Sequence, residues 1–264
     1  MDALLVQIDG IGFWTPGVPD WAAFKRALES GEILAIDATA RPSPAALPPA
    51  ERRRAPESVL IASEAAGQAC AMAARDPATL AGIFTSTHGD LSITDAMCAT
   101  LAADPRELSP TRFHNSVHNA PAGYWTVAAQ CHKSATAISA AHGSFAAALI
   151  EAAVEVHAEG EPVLLVAYDI AARGPVAEVA PSALSFAVAF VLSLAREAST
   201  LLRLSLRSSA RAANDDVPSS LARLASNPMA AQAVPLLAAI AARRRTTIEL
   251  PAGDGTSLDV EVTP

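Results

Sequence analysis

One stretch of the chain decides the fold, residues 135–167, with the sequence ATAISAAHGSFAAALIEAAVEVHAEGEPVLLVA. Its first five residues predict a strand, and the alanine-rich run from Ser144 to His157 predicts a long helix. After Gly160-Glu161-Pro162, the uninterrupted apolar run 163–167 predicts a second, buried strand. A strand, a helix and a strand joined by short connections are typical of a right-handed crossover in an α/β protein.

The alternation of strands and helices continues on both sides of this unit. Prolines predict a linker over residues 37–50, because proline supports neither helix nor ladder hydrogen bonds. We expect an α/β fold in which a mixed sheet of about five strands carries helices on both faces. The expected domains are residues 1–209 and a C-terminal helix and strand extension, 210–264, packed on them. Further predicted elements are strands at 4–8 (ended by Asp9-Gly10-Ile11-Gly12), 80–85, 185–194, 201–206 and 258–262, a turn at 196–199, and helices from Asp20 and over 57–75, 92–103 and 219–242.

Charge and composition exclude some classes of partner. The 264 residues carry a formal net charge of -8, which argues against nucleic acid and anionic membranes, because both select surfaces rich in Lys and Arg. The basic runs 52–54 and 243–245 are typical of a solvated face. The longest apolar run, 183–195, is shorter than the roughly 20 residues of a membrane span. We therefore expect no nucleic-acid or membrane partner.

The cysteines and the first residues bear on the cellular compartment. Cys70, Cys98 and Cys131 are widely spaced and form no CxxC pair, which favours a reducing environment. The segment 1–5 lacks the positive charge with which a signal peptide begins. The expected location is the cytoplasm.

Three groups of side chains contain residue types that could carry chemistry. His114 and His118 have the i, i+4 spacing that puts two imidazoles on one helix face, but no third metal ligand is evident. We expect no metal there, and polar groups that order the chain instead. His142-Gly143-Ser144 partly matches a nucleophile elbow, although the G-x-S-x-G frame is incomplete. Cys131 and His132 are adjacent and point in different directions, so we expect no activated thiol.

Several short strings follow one another within about the first 195 residues. They are Gly10-Ile11-Gly12-Phe13, the helix that follows 51–55, Ser109-Pro110-Thr111-Arg112-Phe113 with Asn115 and Asn119, Gly123, 134–139 and 163–168. In their order and spacing, these strings resemble the N-terminal half of the β-ketoacyl synthases. That family has the thiolase-like fold, so the resemblance implies a thiolase-like half-fold. The most similar subgroup is the ketosynthase-like chain-length factors of bacterial pigment and aryl-polyene synthases.

The resemblance implies where a catalytic nucleophile would lie. A working ketosynthase has a cysteine at the N-terminus of its central helix, where the helix dipole lowers the thiol pKa and the thiolate takes the acyl chain as a thioester. His142 occupies that position here, and imidazole cannot hold a durable thioester. The family's two catalytic histidines come from the second half of its fold, whereas all six histidines of this sequence lie at or before residue 157. We expect no condensing activity, and His142 either fills the turn as a neutral side chain or shapes an acyl tunnel.

The resemblance also implies a partner. We expect a heterodimer with an active ketosynthase, in which this chain helps to set the length of a fatty acyl, polyene or polyketide chain. An acyl carrier protein is a possible further partner, and no cofactor is expected. The alternative is a residual enzyme, a malonyl-carrier decarboxylase or a thioesterase, that uses His142 or Ser144. The expected contact runs along Phe113–Trp125 and Ala135–Ser139, with the candidate residues Phe113, Asn119, Tyr124, Trp125 and Ile138.

Overall fold

The computed structural model describes residues 3–31, 35–37, 39–195, 200–207, 219–253 and 255–264. The strands are β1 (Leu4–Trp14), β2 (Ala81–Thr85), β3 (Ala135–Ile138), β4 (Val163–Asp169), β5 (Phe186–Leu194), β6 (Leu201–Arg207), β7 (Thr246–Gly253) and β8 (Thr256–Thr263). The α-helices are α1 (Trp21–Ser30), α2 (Pro49–Arg54), α3 (Glu57–Met72), α4 (Leu91–Ala103), α5 (Pro110–Asn115), α6 (Ala120–Ala128), α7 (Ser144–Glu159), α8 (Val176–Val179) and α9 (Pro228–Ala241). Short 3₁₀ helices lie at Pro77–Thr79, Pro105–Glu107, Ala141–Gly143 and Ser219–Ser226.

The strands of the described residues form one mixed sheet in the order β3-β2-β4-β5-β1-β6-β8-β7. β2 pairs in parallel with β3 and β4, and the remaining pairs in this sheet are antiparallel. The expected mixed α/β fold is confirmed, but the expected number of about five strands is wrong, because the sheet has eight. β7 was not predicted from the sequence. Its residues, TTIELPAG, show apolar alternation only at Ile248 and Leu250, before Pro251.

β1 is longer than its sequence predicts. The expected strand ended at Asp9-Gly10, yet β1 continues to Trp14 and only shifts register against β5 between Ile8 and Gly10. Gly10 and Gly12 do not form a turn, and they allow α3 to pack closely on β1. A Cβ at Gly12 would lie 1.8 Å from the Ala65 carbonyl oxygen, so α3 approaches the bare backbone of β1.

Helices cover both faces of the sheet, as expected. On one face, α7 packs with α1 and α9 over a core that includes Phe13, Phe145 and Phe190. The other face carries α3 and α6, whose core includes Ile61 and Trp125. Among the described helices, none combines the length and the apolar character that a bilayer span requires.

The predicted helical tail 219–242 is two helices, because Asn227 and Pro228 separate the 3₁₀ helix from α9. Pro228 occupies the first turn of α9, and the Asn227 side chain caps that helix by accepting a hydrogen bond from the Ala230 N–H at 2.9 Å. The Asn227 Nδ2 donates to the carbonyl oxygens of Asp169 at 3.2 Å and Leu184 at 2.9 Å. Asn227 thereby ties α9 to the loops after β4. The predicted turn at 196–199 and the predicted domain boundary at residue 209 lie outside the described residues.

Replacing Asn227 with alanine should lower the free energy of unfolding by about 2 kcal/mol, because α9 loses its cap and two buried carbonyl oxygens lose a donor. Urea denaturation measures the change. Asn119→Ala is the matched control, since Asn119 also precedes a helix but is exposed and makes no cap hydrogen bond. Its expected effect is below about 0.5 kcal/mol. Equal losses in the two variants would contradict the role given to Asn227.

Candidate functional site

The predicted elbow forms between β3 and α7. The chain leaves β3 at Ile138, makes a 3₁₀ turn over Ala141–Gly143 and enters α7 at Ser144. Ala141 has φ of 46°, in the left-handed region that a residue with a side chain rarely adopts. This strained turn presents the exposed His142 side chain at the N-terminus of α7. His142 therefore lies in the turn between β3 and α7, and its role as the occupant of a nucleophile position stays a prediction.

The C-terminal hairpin lies directly against the elbow. A Cβ on the buried Gly143 would be 3.1 Å from the backbone carbon of Ala252 and 3.2 Å from the nitrogen of Gly253. Both residues belong to β7, which no sequence signal placed here. A side chain at position 143 would therefore require β7 to move by a few tenths of an ångström.

The Ser144 hydroxyl makes hydrogen bonds to backbone groups of the turn. Its Oγ accepts a hydrogen bond from the Ala140 N–H at 2.9 Å and donates to the Ala141 carbonyl oxygen at 2.7 Å. The side chain is buried, and within the described residues no histidine hydrogen-bonds to it. A hydroxyl held in this way stabilises the elbow and has no base that would make it a nucleophile.

A buried polar cluster lies behind the elbow, at the carboxyl ends of β2 and β4. The Asp169 Oδ1 accepts hydrogen bonds from the Ser86 hydroxyl at 2.6 Å and the Thr87 N–H at 2.8 Å. The Ser139 hydroxyl, at the start of the elbow, donates to the Thr87 carbonyl oxygen at 3.2 Å. Carboxyl ends of neighbouring parallel strands meet at one edge of a sheet, which explains why these groups converge. An Asp at the end of the apolar run VLLVAYD was the available signal in the sequence, and it was missed.

Burial is the largest cause of the pKa shifts in and beside this cluster. It raises the pKa of Asp169, and the hydrogen bonds from Ser86 and Thr87 and the charge of His88 only partly oppose the shift. Burial, helped by the charges of Asp169 and Asp90, also raises the pKa of Tyr168. The Asp169 Oδ2 and the Thr87 Oγ1 have no hydrogen-bond partner among the described residues. The cluster therefore favours a protonated carboxyl group at position 169.

Asp169→Asn should flatten the pH dependence of stability. A pKa that is raised on folding stabilises the native state below the unfolded pKa, and this contribution is lost as the pH rises through the folded pKa. Stability should therefore fall in the native chain as the pH rises from about 4 towards neutral, and this fall should be absent in Asp169→Asn. Urea denaturation of both proteins across this range tests the expectation, and parallel pH profiles would contradict it.

The two histidines considered as metal ligands do not share a helix face. α5 ends at Asn115, so His118 lies beyond it, and the i, i+4 spacing does not place the two imidazoles on one helix. The His118 Nε2 instead lies 3.0 Å from the Ser86 carbonyl oxygen, and His114 is exposed. Within the described ranges, no three residues of the metal-binding types form a group that could hold an ion.

The candidate contact residues differ in accessibility. Phe113 is 59% exposed, Asn119 is exposed and Ile138 is half-buried on β3. Tyr124 is half-buried, and its hydroxyl donates to the Asn115 Oδ1 at 3.1 Å. Trp125 is only 2% exposed, so its ring fills the core between α3 and α6 and does not reach the surface.

Comparison with solved structures finds the same fold. The chain is similar to a ketosynthase, ApeO, in complex with its chain length factor, ApeC, from Xenorhabdus doucetiae (24% identity, TM-score 0.74, covering 98% of this chain and 99% of the other). It is similar to the ishigamide ketosynthase/chain length factor at 15% identity and a TM-score of 0.73, covering 97% and 98% of the two chains. A third match is AntDE:AntF, a type II polyketide synthase acyl-carrier protein in complex with its ketosynthase bound to the hexaketide (14% identity, TM-score 0.74, covering 100% and 99%).

Comparison at the level of sequence agrees with the fold. No curated protein matches the chain. Residues 21–252 match the profile of a protein family described as the N-terminal domain of beta-ketoacyl synthase. This match includes the elbow, the buried polar cluster and β7. The chain therefore belongs to the β-ketoacyl synthase family, and the part of that family that it matches is the N-terminal domain.

Proposed function

We propose that this chain is a non-catalytic, ketosynthase-like subunit that pairs with an active ketosynthase. The observation that carries the proposal is the elbow, where the Ser144 hydroxyl is occupied by backbone hydrogen bonds and the neighbouring His142 lies at the position that the resemblance gives to the family's nucleophile. Neither side chain offers a free thiol or an activated hydroxyl for loading an acyl group.

The cysteines of the chain support the same reading. Cys70 and Cys131 are buried, and burial raises the pKa of Cys70 to about 12, which keeps its thiol protonated. The Cys131 Sγ donates to the Leu80 carbonyl oxygen at 3.2 Å. Cys98 is exposed on α4, and none of the three cysteines belongs to the elbow turn at Ala141–Gly143. A thioester at the elbow would therefore need a thiol from another chain.

The partner surface that we propose is the open edge of β3 together with α4 and α5. β3 is an outermost strand of the described sheet and pairs there with β2 alone. The apolar helix α4 has 13 residues, of which only Leu91 is buried. Leu101, Phe113 and Val117 add exposed apolar side chains. Exposed apolar side chains and an unpaired strand edge are each typical of a surface that a partner covers.

The comparisons support the chemistry that we propose for the partner. The similar structures are a ketosynthase with its chain length factor and a ketosynthase with an acyl-carrier protein, so we infer a ketosynthase as the partner and a role in setting the length of its acyl or polyketide product. Acyl carrier protein would approach the pair as substrate donor. The proposal locates the pair in the cytoplasm, where the free cysteines stay reduced. It also assigns residues 1–209 to the ketosynthase-like domain and 210–264 to its extension.

Coexpression with a ketosynthase that has an intact cysteine tests the proposal. The two chains should copurify, and after incubation with acyl- or malonyl-carrier protein, intact-protein mass spectrometry should find an acyl adduct on the partner only. His142→Ala should leave condensation by the pair within about twofold, since imidazole takes no part in it. A residual decarboxylase or thioesterase would instead show turnover by this chain alone that His142→Ala abolishes, and that result would overturn the proposal.

A further inference from the structure

We propose that the cavity beside His142 binds a small neutral molecule that carries a hydroxyl group on an apolar body. The cavity has a volume of about 190 Å³ and lies between the elbow, α9 and β7. An apolar cavity of about 150 Å³ can hold benzene, so there is room for one six-membered ring. Its lining residues are His142, Ala231, Gln232, Pro235, Ile248, Glu249, Leu250 and Pro251.

The wall formed by α9 carries a buried hydrogen-bond acceptor that lacks a donor. Gln232 is 8% exposed, and its Oε1 has no hydrogen-bond partner among the described residues. Its Nε2 makes only a long contact of 3.4 Å with the Pro228 carbonyl oxygen. A buried acceptor without a donor is unfavourable, and a ligand with an O–H or N–H group would satisfy the Gln232 Oε1.

The rest of the lining restricts the class of ligand. Ile248, Leu250 and Pro251 form an apolar wall on β7, which disfavours a formal charge on the ligand, and the Glu249 carboxylate in the same lining disfavours an anion. The exposed ring of His142 hydrogen-bonds to none of the described side chains or backbone groups. A single hydroxyl can donate to Gln232 and accept from this ring, which suits a cavity of this size better than a larger amide group.

This inference goes beyond the pairing with a ketosynthase, because the cavity is lined by this chain alone. The test uses the purified full chain and two matched probes, 4-fluorophenol and 4-fluorotoluene, which differ in one hydroxyl group. Titrations followed by ¹⁹F NMR at neutral pH should show saturable binding, with 4-fluorophenol the tighter ligand. Gln232→Leu should weaken binding of 4-fluorophenol about five- to tenfold and change binding of 4-fluorotoluene less than twofold, because only the hydroxyl uses the acceptor.

A second variant tests the proposal even if Gln232→Leu does not fold. Ala231→Leu adds side-chain volume at a half-buried position of α9 and should abolish binding of both probes by filling the cavity. Thermal unfolding shows that each variant is folded before it is titrated. Equal binding of the two probes to the native chain, an equal loss of both in Gln232→Leu, or unchanged binding in Ala231→Leu would each overturn the proposal.

Discussion

Gly12→Ala is expected to leave little folded protein. The new Cβ would lie 1.8 Å from the Ala65 carbonyl oxygen and 2.7 Å from its carbon, so the clash is between one backbone and another. No side-chain rotation can relieve it, and α3 would have to move off β1, which lies near the middle of the sheet. We expect a loss of more than about 3 kcal/mol, measured by urea denaturation or seen as insoluble expression.

Gly67→Ala is the control for this substitution. Gly67 lies within α3, on the helix that Gly12 contacts, and an added Cβ there meets nothing within 4 Å. Because alanine has the higher helix propensity, Gly67→Ala should stabilise the chain by up to about 1 kcal/mol. The same chemical change on two contacting elements thus has opposite expected signs. A Gly12→Ala protein as stable as the native chain would show that α3 does not pack on β1 as described.

Phe113→Asp is expected to disrupt pairing with a ketosynthase. Phe113 is 59% exposed on α5 and lies in the proposed partner surface, so a carboxylate there would be buried without a counter-charge. We expect the affinity of the pair to fall at least about thirtyfold, which corresponds to about 2 kcal/mol. Copurification from coexpressing cells and titration of the purified chains measure this loss.

Leu206→Asp provides the matched control. Leu206 is an exposed apolar residue of similar accessibility, 49%, and it lies on β6, five strands away from β3 in the sheet order. It should leave the affinity unchanged within about twofold, because it lies outside the proposed surface. If Leu206→Asp weakened pairing as much as Phe113→Asp, the partner surface would be elsewhere.

Local patterns in the sequence predicted the elements whose character is local. The apolar run 163–167 and the alanine-rich helix from Ser144 have periodicities that a short window reveals, and the structure contains both. The predicted elbow at His142 is also local, because a strand must turn sharply to enter the helix that follows it. These elements were predictable because their sequences alone specify them.

Features that depend on distant contacts could not be predicted in this way. Gly10 and Gly12 look like a turn until α3 is known to pack on them. β7 has few apolar residues and forms because β8 offers it a hydrogen-bonding edge. Asp169 resembles an ordinary polar residue at the end of a strand until Ser86 and Thr87, more than 80 residues earlier, are seen to contact it.

The antiparallel pairing of β1 has a consequence for the biosynthesis of the chain. β1 ends at Trp14, but both of its neighbours in the sheet, β5 and β6, begin beyond residue 185, so β1 leaves the ribosome well before either of them. At translation rates of about 5–20 residues per second, β1 waits on the order of ten to thirty seconds for its first partner strand. During that interval its apolar segment is available to chaperones and to other nascent chains, so the rate of translation influences how much of the protein matures.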